Sequence, residues 1–92
     1  MKIEKENGRH YIQDDSGKSI GEITYSENDA NTITIEHTYV NENHRGEGVA
    51  RELVDSIVQE MKLEDKKIIP ACRYAAAIFE RVPSYKEQLA QQ

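Results

Sequence analysis

The chain has 92 residues, 37% of them apolar and 32% charged, with a formal charge of −5. That is enough for one small folded domain but not for a second core, and the mixed signs of its charges read as globular rather than disordered. The negative balance argues against a nucleic-acid backbone as partner.

Arg9–Gln13 is a short strand built on Tyr11 and Ile12. His10 is read as solvent-facing. Asp14-Asp15-Ser16-Gly17-Lys18 is a turn, with glycine available for positive φ. Residues 19–26 alternate Ile20, Ile23 and Tyr25 with polar neighbours, and Gly21 breaks the parity, which marks a bulge or a weak point. After a second polar turn at 27–31, Thr32–Val40 is the best strand. Regular alternation puts Ile33, Ile35, His37 and Tyr39 on one face and Glu36 on the other, unless a bulge intervenes.

From Val49 to Lys62 the apolar residues recur as a helix requires. Val49, Leu53, Ile57 and Met61 form a stripe that Val54 and Val58 widen. Residues 66–70 read as a short buried strand ended by Pro70. Residues 75–81 have high helix propensity, and Pro83 closes them. Residues 84–92 are a polar tail with room for a further helical turn or two. The order is β-β-β-α-β-α, an α/β (α+β) fold: a three-stranded antiparallel meander, then a helix, a strand parallel to the third, and a C-terminal helix. Residues 1–92 form one domain.

No stretch approaches the ~18 apolar residues of a membrane span. The N-terminus lacks an apolar signal core, and a single cysteine fits a reducing compartment. A cytoplasmic protein without a membrane partner is expected. His10, His37, His44 and Cys72 lack the paired spacing of a zinc site, so no metal is expected. Lys62–Lys67 reads as a solvated helix end. The sequence does not set the oligomeric state.

The segment His44-Arg45-Gly46-Glu47-Gly48-Val49-Ala50-Arg51 carries the chemistry. It connects the best strand to the best helix, where unpaired N–H groups and the helix dipole favour an anion. Glycine lets the backbone approach a ligand closely, and Arg45 and Arg51 add positive charge. The bland alternative is a structural turn. The Rossmann pattern needs a third glycine and a downstream acid, and the Walker pattern needs Gly-Lys-Ser/Thr; neither is present.

Arg45 to Ala50 resembles the acyl-CoA signature of the GNAT superfamily of N-acetyltransferases, Gln/Arg-x-x-Gly-x-Gly/Ala, with matches at Arg45, Gly48 and Ala50. The chain is similar to small single-domain members with a His-Thr pair on the signature strand and a Cys-x-Tyr motif after the next one, here His37-Thr38 and Cys72-Arg73-Tyr74. The resemblance implies acetyl-CoA as cosubstrate, with its pyrophosphate on Arg45, Gly46, Glu47, Gly48, Val49, Ala50 and Arg51, and its pantetheine arm along Thr38 and Val40. It implies transfer of an acetyl group to an amine acceptor. The superfamily's usual acid, a tyrosine, is Phe79 here, so that role is vacant or moved.

Three residues are candidates for catalysis. Cys72 follows Pro70 and precedes a helix beside Arg73, a setting that favours thiolate. It could relay the acyl group or protonate the departing thiol; otherwise it is a small buried residue. His37 is the candidate base, with Glu36 as the alternative. Tyr74 is an acid or a packing residue. Two other functions stay open: a non-catalytic acyl-CoA-binding or sensing module, and a protein-interaction domain on the same fold.

Overall fold

A computed structural model describes residues 2–90. Its elements are β1 (Glu4–Glu6), β2 (Arg9–Gln13), β3 (Ser19–Asp29), β4 (Thr32–Val40), α1 (Val49–Glu64), β5 (Lys67–Pro70) and α2 (Arg73–Arg81), with short 3-10 segments at Glu42–His44 and Pro83–Gln88. The five strands form one sheet in chain order. β1 to β4 are antiparallel, and β5 lies parallel to β4 with Ile33 opposite Ile68. The α/β order expected from the sequence is thus present, with one strand more.

That extra strand begins the sheet before Arg9. Asn7-Gly8 forms a two-residue hairpin turn in which Gly8 has φ 87°, the positive φ that this dipeptide supplies. β3 also runs three residues beyond Ser26, to a tip where the Asp29 carboxylate accepts from Asn31 N–H at 2.8 Å.

The core lies between one sheet face and α1. Leu53, Val54, Ile57 and Val58 are fully buried, together with Ile23, Ile33, Ile35 and Ile68 from the strands. Burying each such side chain contributes about 1.5–3 kcal/mol. Gly21 belongs to this contact. A β-carbon there would lie 2.7 Å from Val49 Cγ1 and 3.1 Å from Leu53 Cδ1, so glycine is what lets α1 sit this close to β3. The broken parity at Gly21 has a structural cause: Ile12 pairs with Gly21 and Gln13 with Ser19, leaving Ile20 as a bulge.

A second bulge reshapes β4. Thr24 pairs with His37 and Tyr25 with Ile35, so Glu36 has no partner. The alternation slips by one residue there. Ile33 and Ile35 face the core, but beyond the bulge it is Thr38 that is buried, while His37 and Tyr39 are exposed. Regular alternation had placed His37 and Tyr39 with the isoleucines, and the unpaired Glu36 is why they are not.

His10 is not solvent-facing. It is fully buried, two residues before the buried Ile12 and therefore on the same face. Its Nδ1 lies 2.8 Å from Ser56 Oγ and its Nε2 3.2 Å from Glu60 Oε2, which also accepts from Tyr25 OH at 3.0 Å. Burial pushes the imidazole below its ordinary pKa, and Glu60 opposes this only in part.

The polar tail has structure as well. Tyr85 and Gln88 are buried. Ala90 N–H donates to Ile68 O at 2.9 Å, and Gln88 Nε2 donates to Lys66 O at 3.0 Å. These bonds cover the outer edge of β5, which is otherwise open to strand addition. Among the described residues, no helix is long and apolar enough to cross a membrane.

Candidate functional site

Asn41 anchors the connection between β4 and α1. Its N–H donates to Ile20 O at 2.8 Å, its carbonyl accepts from His44 N–H at 2.9 Å, and its side-chain oxygen accepts from Asn43 N–H at 2.9 Å. The chain then turns through Gly46 and Gly48, at φ 85° and 81°. Both lie in the left-handed region, where a side chain is strained. A β-carbon at either position would meet nothing within 4 Å. The glycines therefore serve the backbone path, and the space beside the turn is open.

Gly48 is the N-cap of α1 and offers no capping side chain. The first helical bond runs from Glu52 N–H to Gly48 O at 3.0 Å. The N–H groups of Val49, Ala50 and Arg51 precede it and have no helical acceptor. Such N–H groups, at the positive end of the helix dipole, favour an anion.

These atoms form one wall of a groove of about 380 Å³. Val40, His44, Arg45, Gly46, Gly48, Val49, Ala50 and Arg51 line it on the β4–α1 side, and Tyr74, Ile78 and Arg81 line it from α2. Arg45, Arg51 and Arg81 have no carboxylate within salt-bridge distance among the described residues, whereas Arg9 has two, Glu6 and Glu22. In a chain with an excess of acids, unpaired arginines around one groove make a strongly anion-attracting surface. Glu47 does not line the groove; its carboxylate lies 3.0 Å from Nδ1 of His44, which does.

Arg81 and Ile78 were not among the residues singled out by sequence. Tyr74, Ile78 and Arg81 stand at i, i+4 and i+7, one stripe of α2, and that spacing was the available signal. α2 begins at Arg73, two residues earlier than its propensity indicated, and this start brings Tyr74 into the stripe. Tyr74 is about half exposed in the groove wall.

Cys72 is the N-cap of α2, half-buried beyond the point where β5 stops pairing with β4. Burial pushes its thiol up. The Thr38 hydroxyl and the N–H groups of Ala75, Tyr74 and Thr38 more than offset this, and the thiol lies below its ordinary pKa. The Thr38 hydroxyl is buried, with no partner of hydrogen-bonding geometry among the described residues. Thr38 and Cys72 therefore lie together on the core side of β4. His37 is on the other side of that strand and exposed. Phe79 is buried, its ring 5.6 Å from that of Tyr85.

A family model described as GCN5-related N-acetyl-transferase matches residues 9–89. The solution structure of a GCN5-like protein from Staphylococcus aureus is 32% identical, with a TM-score of 0.82 over 99% of this chain and 89% of that one. An Escherichia coli GNAT family N-acetyltransferase in complex with CoA is 24% identical, with a TM-score of 0.59 over 65% of this chain and 37% of that one. A ribosomal-protein-alanine N-acetyltransferase from Brucella melitensis is 16% identical, with a TM-score of 0.64 over 91% of this chain and 62% of that one. The last two likenesses concern the fold alone. No match was found among curated protein sequences.

Proposed function

The chain belongs to the GCN5-related N-acetyltransferase family, and from that premise we propose that it binds acetyl-CoA in the arginine-lined groove and transfers the acetyl group to an amine. The observation that carries the reading is that Arg45, Arg51 and Arg81 line one groove together with the residues that open α1. A pyrophosphate would rest on the backbone from Gly46 to Arg51, with the arginines around it. The turn has open space for it, because nothing stands where the glycines lack side chains. The arm of the cofactor would run past Val40 to Thr38, where β4 continues beyond its last pairing with β5 at Ile35.

When bound, acetyl-CoA supplies an activated thioester. The protein's own groups then position the reactants and handle two protons. Holding the amine against the acyl carbon can supply several kcal/mol, up to about 7–11 in the best cases. The amine must lose a proton, and His37, exposed on the face of β4 opposite Thr38, is the proposed acceptor. The departing thiolate must gain one. Cys72, the N-cap of α2, and Tyr74, in the groove wall, are the proposed donors; in the alternative relay the Cys72 thiolate attacks the acyl carbon, the CoA thiolate leaves and is protonated, and the amine then displaces the Cys72 sulfur. The acceptor approaches as a cation, for which a chain of charge −5 is suited.

One observation favours the second reading, a module that binds or senses acyl-CoA without turnover. Phe79 has no proton to give, and it is committed to packing against Tyr85. Turnover with a panel of amines, read as free thiol released from acetyl-CoA, separates the two. Transferase activity that falls in Cys72→Ala while acetyl-CoA affinity is kept supports the first. Tight binding with no thiol release from any amine supports the second.

A further inference from the structure

Arg51 and Asp55 stand at i and i+4 on α1, a spacing at which an arginine and an aspartate can pair. They do not pair. The Asp55 carboxylate instead accepts from the Tyr85 hydroxyl at 2.6 Å and from Gln59 Nε2 at 3.3 Å. Tyr85 comes from the C-terminal segment, 30 residues on, and is 4% exposed with its ring against Phe79. Arg51, one turn before Asp55 on α1, lines the groove. Burial and the carboxylate hold the phenol above its ordinary pKa, so it keeps its proton and remains the donor.

We propose that Tyr85 is a positioning residue for the anion groove: by engaging Asp55 it denies Arg51 its natural partner and leaves the guanidinium free for phosphate. The inference rests on the acyl-CoA reading above and adds the device that keeps one of the groove's cations available. It also gives the C-terminal segment a part in cofactor binding, although Tyr85 itself does not line the groove.

The sign of the expected effect is specific. Tyr85→Phe keeps the ring and removes the donor, so Asp55 turns to Arg51. Affinity for acetyl-CoA by calorimetry should fall about 5–10-fold, the worth of one charge-assisted contact. Adding Asp55→Asn to Tyr85→Phe removes the competing charge and should restore affinity to within about twofold. A purely structural role for Tyr85 gives no such rescue. Pantetheine, which has no phosphate, should bind wild type and Tyr85→Phe alike. Asp55→Glu gives a route that leaves position 85 intact: its longer carboxylate reaches Arg51 past the hydroxyl and should also weaken acetyl-CoA. Unchanged affinity in both Tyr85→Phe and Asp55→Glu, or no rescue by Asp55→Asn, overturns the inference. Failure of the wild type to bind acetyl-CoA overturns the underlying reading instead.

Discussion

Replacing Gly48 by glutamate puts a side chain and a negative charge into the place proposed for the phosphate. Two effects must be kept apart. The first is strain: Gly48 has φ 81°, and an L-residue there costs about 1–2 kcal/mol. No neighbour lies within 4 Å of the new β-carbon, so no packing penalty adds to it. A domain of this size loses about 4–8 °C of Tm per kcal/mol, and it stays folded. The second effect is charge: a carboxylate about 5 Å from one phosphate charge costs about 3 kcal/mol at an effective dielectric of 20, close to a hundredfold in affinity. Gly48→Ala carries the strain without the charge and is the control. Calorimetry with acetyl-CoA should show the hundredfold loss in Gly48→Glu and a small loss in Gly48→Ala, with both variants folded by circular dichroism. Equal affinity in Gly48→Glu and wild type would refute the cradle.

The Cys72 thiol should be alkylated by iodoacetamide with a midpoint below that of an ordinary cysteine, and Thr38→Val should raise the midpoint by removing the hydroxyl that favours thiolate; equal midpoints would remove Thr38 from the account. His10 makes stability depend on pH. Its folded pKa is depressed, so below about pH 6.5 the unfolded chain takes up the proton first and stability falls as the pH drops. The Tm of wild type should therefore decline between pH 7.5 and 5.5, and His10→Gln should show a flatter profile; parallel profiles would contradict the buried neutral imidazole. Leu53→Ala, at a fully buried position, should cost about 2–5 kcal/mol in denaturant unfolding, and a loss under 1 kcal/mol would place Leu53 outside the core.

What the sequence made legible follows the range of the interaction. The α1 stripe from Val49 to Met61 could be read because its spacing is local, and all four residues of that stripe are buried. The glycine turn was legible because positive φ and a following helix are also local signals. Asn7-Gly8 is an equally local signal, for the hairpin that joins β1 to β2. The bulge at Glu36 is different in kind: it depends on how β3 pairs with β4 around Thr24 and Tyr25, and residues 32–40 alternate without interruption when read alone. The burial of His10 depends on Ser56 and Glu60, 46 and 50 residues away. Arg81 reaches the groove, and Tyr85 reaches Asp55, only through the packing of α2 and the tail on α1, so their part could not be read from spacing around the turn.

The central claim is that the turn at Gly46–Arg51 and Arg81 of α2 form one anion-binding groove for an acyl-CoA. Titrating isotope-labelled protein with acetyl-CoA while following the backbone amides tests it most directly. The account predicts the largest shifts at Gly46, Gly48, Val49, Ala50 and Arg51, with Thr38 and Arg81 moving in the same titration. Saturable binding whose shifts cluster elsewhere, or an unchanged spectrum at millimolar acetyl-CoA, would contradict it.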